Sequence, residues 1–231
     1  MRKYIAFLVL AATSVIASSQ TATAPKPNVR KPMAAIPAQP TAIIDTTAGK
    51  LRCTLFPKQA PIGVANFIGL SRGTKDWTDP QGKKVHGKPL YDGTIFHRVI
   101  PEFMIQGGSP SGQGDGNPGF EFQNETSPDL TFNQPGRLAY ANAGPGTNGS
   151  QFFVTEVPYP SLDGNYTIFG QCDDASVEVV KKIARMPRDP QDRPNDPVKV
   201  THVTILHAGG TSHSTTTHHP VKPNPSAPKP Q

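Results

Sequence analysis

The sequence contains only two cysteines among its 231 residues, Cys53 and Cys172. Both lie in apolar, strand-like surroundings, which disfavour a thiolate and therefore argue against a cysteine nucleophile. An even count in an exported protein permits one disulfide, while two unpaired buried cysteines fit the sequence as well. The sequence alone leaves this choice open.

Acidic residues are missing from both ends of the chain. Residues 1–40 and 209–231 contain no Asp or Glu but seven Lys and Arg residues, whereas the segment between them has 16 basic and 17 acidic residues. The net charge of +6 therefore belongs to the ends, and the middle segment is nearly neutral. This distribution argues against a nucleic-acid-binding surface on the folded part, because such a surface needs clustered positive charge.

Long hydrophobic runs are also missing. After Arg2 and Lys3 there is no charged residue through Pro25, but the apolar run Ile5–Ala12 is shorter than the roughly 20 residues that cross a bilayer. This pattern predicts a secretory signal peptide over residues 1–24, with no stable membrane insertion after its cleavage. We expect export to a bacterial periplasm, with secretion as the alternative.

Proline and small residues divide the rest of the chain. Residues 25–40 are rich in Pro and Ala and predict an extended linker, and residues 209–231 are rich in Ser, Thr, His and Pro and predict a disordered tail. Residues 41–208 remain as one domain, which is long enough to bury a hydrophobic core.

Within residues 41–208, short apolar runs alternate with turn residues every 8–12 positions. The predicted strands lie at Thr41–Asp45, Leu51–Phe56, 95–100, 103–105, 137–142, 150–155, 166–170 and 198–206. One helix is predicted from Pro61 to just before Gly73, and a second after Asp173, while residues 74–89 predict a loop. The pattern predicts a mainly β fold and favours a closed eight-stranded antiparallel β-barrel capped by two α-helices over a sandwich, but pattern alone leaves the choice between these two open.

One strand carries an arginine among large apolar residues. Strict alternation would place Phe96, Arg98 and Ile100 on one face of the strand and His97 on the other. Arg98 then either extends to water over its apolar neighbours or forms the cationic corner of an apolar pocket.

Other kinds of active site have little support. Gly149-Ser150-Gln151 lacks the second glycine of a nucleophile elbow, and the tail histidines His213, His218 and His219 have no fixed geometry for a metal. Residues 114–119 match the glycine spacing of a dinucleotide-binding loop, but Pro118 stands where its helix would begin. We therefore expect no cofactor and no metal.

Two long motifs carry a family resemblance. Phe96–Gly108 and Ala141–Phe153, followed by Leu162-Asp163-Gly164 and Phe169-Gly170, resemble the cyclophilin family of peptidyl-prolyl cis-trans isomerases in the same order along the chain. The resemblance implies the capped barrel with an active site on its outer face. It also implies that proline-containing polypeptides are the substrates, and we expect a monomer.

The resemblance assigns roles to ten residues. Arg98 corresponds to the catalytic arginine, and Tyr166 provides an aromatic wall. The implied proline pocket consists of Phe103, Met104, Phe153 and Leu162, and the implied groove for the peptide backbone consists of Gln106, Ala141, Asn142 and Gln151.

The sequence departs from the family pattern at two positions. Ser161 stands where the best-known members carry tryptophan, and Tyr166 where they carry histidine. We therefore expect isomerase activity with only weak cyclosporin binding. Two alternatives remain: a module that binds proline-containing segments without catalysis, and a scaffold whose tails carry the function.

Overall fold

The computed structural model describes residues 39–207 apart from Gly116. The predicted signal peptide, the predicted tail and all but the last two residues of the predicted linker lie outside the described residues. Among the helices of the described part, none combines the length and the apolar character needed to cross a bilayer.

The described residues form ten strands, two α-helices and one short 3₁₀ helix, Pro160–Leu162. The helices are α1 (Pro61–Arg72) and α2 (Asp174–Ala184). The strands are β1 (Thr41–Thr46), β2 (Gly49–Leu55), β3 (Trp77–Thr78), β4 (Lys84–Val85), β5 (Arg98–Ile100), β6 (Met104–Gly107), β7 (Arg137–Tyr140), β8 (Phe152–Thr155), β9 (Ile168–Cys172) and β10 (Val200–Leu206).

Eight of these strands form one curled antiparallel sheet in the order β10-β1-β2-β9-β7-β8-β6-β5. The outermost strands of this order approach each other through the segment that precedes β5, where an isolated bridge joins Ile95 to Lys199 and Phe96 N–H donates to Val198 O at 3.0 Å. The predicted mainly β architecture with two helices is therefore confirmed. Full closure of the sheet into a barrel stays a prediction.

Both helices begin and end near the predicted residues. Pro61 occupies the first turn of α1, and Gly73 ends it in the left-handed conformation at φ 69°. At α2, the Asp173 carboxylate accepts from Ser176 N–H, while Lys181 and Lys182 lie in the last turn, where cations are favoured.

The two faces of the sheet carry separate hydrophobic clusters. The larger cluster includes Phe67 and Leu70 from α1 and Val180 and Ile183 from α2, so both helices pack against this face. The opposite face carries a smaller cluster of buried side chains, which consists of Met104, Phe132, Ala139, Phe153 and Ile168. Alternation along β6, β7 and β8 sends neighbouring residues to the two clusters in turn.

Two local predictions were wrong. Around β5, both His97 and Arg98 lie opposite Gln106, because His97 N–H donates to Gln106 O and Arg98 is its register partner. This two-against-one arrangement is a β-bulge, and it places Phe96 in the larger cluster with Val99 instead of on the face of Arg98. The predicted loop 74–89 also contains a two-stranded ladder, formed by β3 and β4.

The two cysteines are joined. Cys53 on β2 and Cys172 on β9 are register partners in neighbouring strands, and their sulfurs form a disulfide. Both residues are buried. The bond links the β10-β1-β2 part of the sheet covalently to the remaining strands.

Candidate active site

Strand register brings three predicted site residues into one row. Arg98 on β5 pairs with Gln106 on β6, and Gln106 pairs in turn with Phe153 on β8. Side chains directly opposite each other in a sheet share a face, so these three point to the face that carries the smaller cluster. Met104, two residues before Gln106, lies on the same face.

A cavity of about 300 Å³ opens on this face. Nine of the ten predicted site residues line it, namely Arg98, Phe103, Met104, Gln106, Ala141, Asn142, Phe153, Leu162 and Tyr166. The tenth, Gln151, lines an adjoining cavity of about 360 Å³, which shares Gln106, Gly114, Ala141 and Asn142 with the first. The structure thus brings the predicted residues together at two connected depressions.

The floor of the first cavity is aromatic. Phe153 stacks against Phe132, with ring centroids 5.9 Å apart, and Tyr166 meets Phe153 edge-on at 5.5 Å. Phe132 is fully buried, and its N–H donates to Asp163 Oδ1 at 2.7 Å. Phe132 does not line the cavity but packs behind Phe153 in its wall. It lies outside the sequence motifs of the site and was not among the predicted site residues.

Phe103 is held at the cavity by a rigid corner. Between β5 and β6, Glu102 adopts a left-handed conformation at φ 59°, and its N–H donates to Glu156 Oε2 at 2.9 Å. The Glu156 N–H donates to Phe103 O at 2.8 Å. The carboxylate of Glu156 is buried and also pairs with Arg185 at the end of α2. These contacts fix the backbone of the corner between β5 and β6, and with it the position of the Phe103 side chain at the cavity.

A chain of amides links the two cavities. Gln106 Nε2 donates to Gln151 Oε1 at 3.0 Å, and Gln151 Nε2 donates to Gly114 O at 2.9 Å. These bonds use the side-chain amide nitrogen of Gln106 and leave its side-chain oxygen Oε1 available to accept a hydrogen bond from a ligand. The side chain of Asn142 forms hydrogen bonds within the protein: it donates to Asn165 O at 3.1 Å and accepts from Gly144 N–H at 3.2 Å.

The Arg98 guanidinium reaches the cavity while keeping contact with water. Its side chain is 44% exposed, and Nε lies 3.8 Å from Asp192 Oδ2, a distance that gives a loose ion pair. Val99 N–H donates to Asp192 O at 2.8 Å, so the loop that carries Asp192 is tied to β5. Arg98 is therefore positioned by its neighbours without being neutralised.

Beside Arg98 lies a buried histidine that sequence reasoning did not assign to the site. His97 also lines the cavity but is only 6% exposed, and neither ring nitrogen has a hydrogen-bond partner among the described residues. Burial, together with the charges of Arg193 and Arg98, lowers the pKa of His97 to about 4 against the opposing effects of the Ile95 carbonyl and Asp115. The imidazole is consequently neutral near pH 7.

The arrangement has a defined chemical capacity. The aromatic and aliphatic walls can hold a small apolar ring, the Arg98 guanidinium at the edge can donate hydrogen bonds, and the amides can hold an extended backbone. Within residues 39–207, no three His, Cys, Asp or Glu side chains are grouped as metal ligands.

Comparison with known proteins agrees with this geometry. Residues 41–205 match the family model described as cyclophilin type peptidyl-prolyl cis-trans isomerase/CLD. Peptidyl-prolyl cis-trans isomerase A of Mycobacterium tuberculosis is 49% identical over 166 residues, which cover 71% of this chain and 91% of that protein. Peptidyl-prolyl cis-trans isomerase B of Streptomyces anulatus is 47% identical over 166 residues, covering 71% and 95% respectively.

Solved structures show the same likeness. The crystal structure of a Cryptosporidium parvum cyclophilin type peptidyl-prolyl cis-trans isomerase aligns with a TM-score of 0.63 at 34% identity, covering 75% of this chain and 99% of that one. A second structure of that protein, determined in the presence of the dipeptide Ala-Pro, aligns with a TM-score of 0.62 over 73% of this chain.

Proposed function

The chain belongs to the cyclophilin-type family of peptidyl-prolyl cis-trans isomerases, and we propose which of its residues accelerate rotation about Xaa-Pro bonds. The protein is an isomerase that assists protein folding. Arg98 is the catalytic residue of our proposal, and the aromatic cavity beside it binds the proline ring. The row formed by Arg98, Gln106 and Phe153 is the observation that carries the assignment.

The chemistry requires stabilisation of a twisted amide. Rotation about the Xaa-Pro bond breaks amide resonance against a barrier of roughly 18–20 kcal/mol. As the bond twists, the electron pair of the nitrogen localises and becomes a hydrogen-bond acceptor, which it is not in either planar state. A donor directed at this nitrogen therefore binds the transition state more tightly than the substrate, which is the condition for acceleration.

Arg98 meets this condition better than a neutral side chain would. Its guanidinium is always charged and presents several donors in a fixed plane. Neutral His97 adds no competing positive charge, and the ion pair with Asp192 is long enough to leave donors free. No bond to the enzyme and no proton transfer is needed.

The remaining predicted residues hold the substrate. Phe103, Met104, Phe153, Leu162 and Tyr166 supply the apolar walls for the proline ring, which exclude water from the twisting bond. Gln106, Ala141, Asn142 and Gln151 surround the passage between the two cavities, where they bind the backbone that flanks the proline. Holding one side of the bond still while the other rotates reduces the entropic part of the barrier.

The decisive experiment is an isomerisation assay on a proline tetrapeptide, read by protease coupling or by exchange NMR. We expect Arg98→Ala to lower kcat/KM by about 10²- to 10³-fold, the usual effect of removing one transition-state donor. Arg52→Ala, an exposed arginine on β2, is the matched control and should keep wild-type activity. An inactive wild type that still binds the peptide would instead identify a binding module, and activity lost only on removal of residues 209–231 would identify a tail-dependent scaffold.

The place of action and the drug sensitivity also belong to this proposal. We propose export, with a bacterial periplasm as the preferred location and secretion as the alternative. Two features support export: the signal-type N-terminus, and the disulfide between Cys53 and Cys172, since such bonds persist in oxidising compartments. Weak cyclosporin binding is supported by the small, exposed Ser161 next to the cavity residue Leu162.

A further inference from the structure

An exposed tyrosine lies against the wall of the proline cavity. Tyr159 is 37% exposed, and among residues 39–207 the only other large apolar side chain so exposed is Ile62 on α1, at 52%. The Tyr159 ring packs on Phe103, with centroids 4.4 Å apart and planes inclined by 40°. Phe103 in turn lines the cavity. The tyrosine therefore extends the aromatic wall outward, from the cavity to the molecular surface.

The backbone holds this tyrosine firmly. Tyr159 N–H donates to Phe132 O at 2.7 Å, and Tyr159 O accepts from Leu162 N–H at 3.1 Å. Pro160 follows directly and begins the 3₁₀ helix, so the chain around the ring has little conformational freedom. A tyrosine held in this way loses little entropy on contact with a ligand, because only two side-chain torsions remain to be fixed.

The contact with Phe103 places Tyr159 one aromatic ring away from the proline cavity. The adjoining cavity lies toward Gln106, Gly114, Ala141 and Asn142, which line both cavities. Phe103 lines the proline cavity and does not line the adjoining one. Because Phe103 lines the cavity that binds the proline, the Tyr159 ring packed against Phe103 lies within reach of a residue next to that proline. An extended chain advances about 3.3 Å per residue, which brings the next one or two side chains to the tyrosine.

We propose that Tyr159 is a specificity-determining residue, which binds an apolar or aromatic side chain one or two positions from the substrate proline. The inference rests on the proposed function, because it assumes that the cavity binds proline. An aromatic pair contributes a modest attraction beyond the area that it buries, and an exposed ring next to a binding cavity is available for such a pair without any rearrangement of the core.

The test compares peptides that differ in one flanking residue. Tetrapeptides carry Phe or Ala beside the Xaa-Pro pair, in one series before it and in a second series after it. For wild type we expect kcat/KM to be about 2- to 10-fold higher for the Phe peptide in one of the series. Tyr159→Ser should bring this ratio close to one, mainly through KM, while Tyr159→Phe should preserve it.

Matched variants separate recognition from structural support. Ile62→Ser removes the other exposed apolar side chain and should leave the Phe-to-Ala ratio at its wild-type value. Tyr159→Leu keeps an apolar contact with Phe103 and still should lower the ratio, which gives a second test where the serine variant is poorly folded.

Three outcomes decide the matter. A fall in the ratio in either series supports the inference, and the series that responds also gives the direction of the bound chain. An unchanged ratio overturns it, as does an equal loss on the Phe and Ala peptides, since that would mean that Tyr159 only supports Phe103. Absence of turnover by wild type on every peptide would instead refute the proposed function.

Discussion

At the scale of single residues, the site depends on a histidine that stays neutral beside two charged arginines. Arg98, Arg193 and His97 lie close enough that both arginines lower the pKa of the histidine. Because burial acts in the same direction, His97 is neutral at pH 7 and the cavity edge carries the charge of Arg98. The cost of this arrangement is a buried imidazole whose two nitrogens have no hydrogen-bond partner within the described residues 39–207.

This cost predicts a pH dependence of stability. A histidine in the unfolded chain takes up a proton near pH 6.5, whereas folded His97 does so only near pH 4. Between these values the unfolded state binds more protons, so stability is lost as the pH falls. Relative to pH 7, we expect His97 to lower the free energy of unfolding by about 2 to 3 kcal/mol at pH 4.5. Urea unfolding at both pH values measures it.

Two histidine variants give the comparison. His97→Gln removes the buried titrating group and should show a smaller loss of stability between pH 7 and pH 4.5 than wild type. His202→Gln, which removes an exposed histidine in contact with Asp92, should retain the wild-type loss. If all three proteins lost the same amount, the depressed pKa of His97 would be excluded as the cause.

Single residues of the site were largely predictable, and the exceptions have a physical reason. The motifs around Arg98 and Asn142 identify seven residues that meet at one cavity, and the shorter motif at Leu162 adds Leu162 and Tyr166. The orientation of Phe96 and His97 was predicted wrongly, because strict alternation assumes a regular strand and the bulge opposite Gln106 interrupts it. A bulge depends on the partner strand, so the local sequence does not reveal it.

At the scale of elements, helix α1 is completed by a residue from a distant segment. The N-cap residue Ala60, which precedes the helix, provides no side-chain cap, and the first turn contains no acidic residue. Glu125 fills this role, since its carboxylate accepts from Ile62 N–H at 2.9 Å and from Gly63 N–H at 2.7 Å. Glu125 therefore satisfies two backbone donors and places a negative charge at the positive end of the helix.

Removal of this cap should destabilise the protein measurably. We expect Glu125→Ala to lower the free energy of unfolding by about 1 to 2 kcal/mol, the usual effect of losing a helix cap. Glu125→Gln should cost less, because the amide oxygen still accepts a hydrogen bond although the charge is lost. Denaturant unfolding of these variants and of the control Glu121→Ala, which removes an exposed carboxylate, measures the difference. Equal stability of all three variants would contradict the capping role.

The helices were predicted more accurately than the strands. Pro61, Gly73 and Asp173 are local signals that define where α1 and α2 begin or end, and the structure follows them. The short ladder of β3 and β4 was missed because each strand has two residues, too few for any periodic pattern. The accuracy of the prediction for the helices and for the short strands therefore depends on how much of each element is encoded in its local sequence.

At the scale of the whole molecule, the order of strands is where the sequence alone says least. The neighbours β10 and β1 come from opposite ends of the described chain, and β9 lies between β2 and β7. Nothing in the local pattern of any strand encodes these pairings, and only the family resemblance implied them. The pairing of Cys53 with Cys172 depends on the same long-range order, which is why composition left the disulfide undecided.

The disulfide should make a large contribution to global stability. It joins residues 119 positions apart, and a cross-link across a chain of that length restricts the unfolded state strongly. We expect the double variant Cys53→Ala/Cys172→Ala to be less stable than the oxidised wild type by about 2 to 5 kcal/mol. Thermal unfolding with and without a reductant measures this difference.

The same double variant shows whether the disulfide contributes to stability alone or also to catalysis. The site row on β5, β6 and β8 does not include the strands that the disulfide joins, so the double variant should isomerise peptides at the wild-type rate well below its melting temperature. Reductant should lower the melting temperature of wild type and leave that of the double variant unchanged. Two titratable thiols in the denatured, unreduced wild type would contradict the bond itself. An intact bond without a stability difference would mean that the unfolded chain is already compact, and that the sheet alone holds its two parts together.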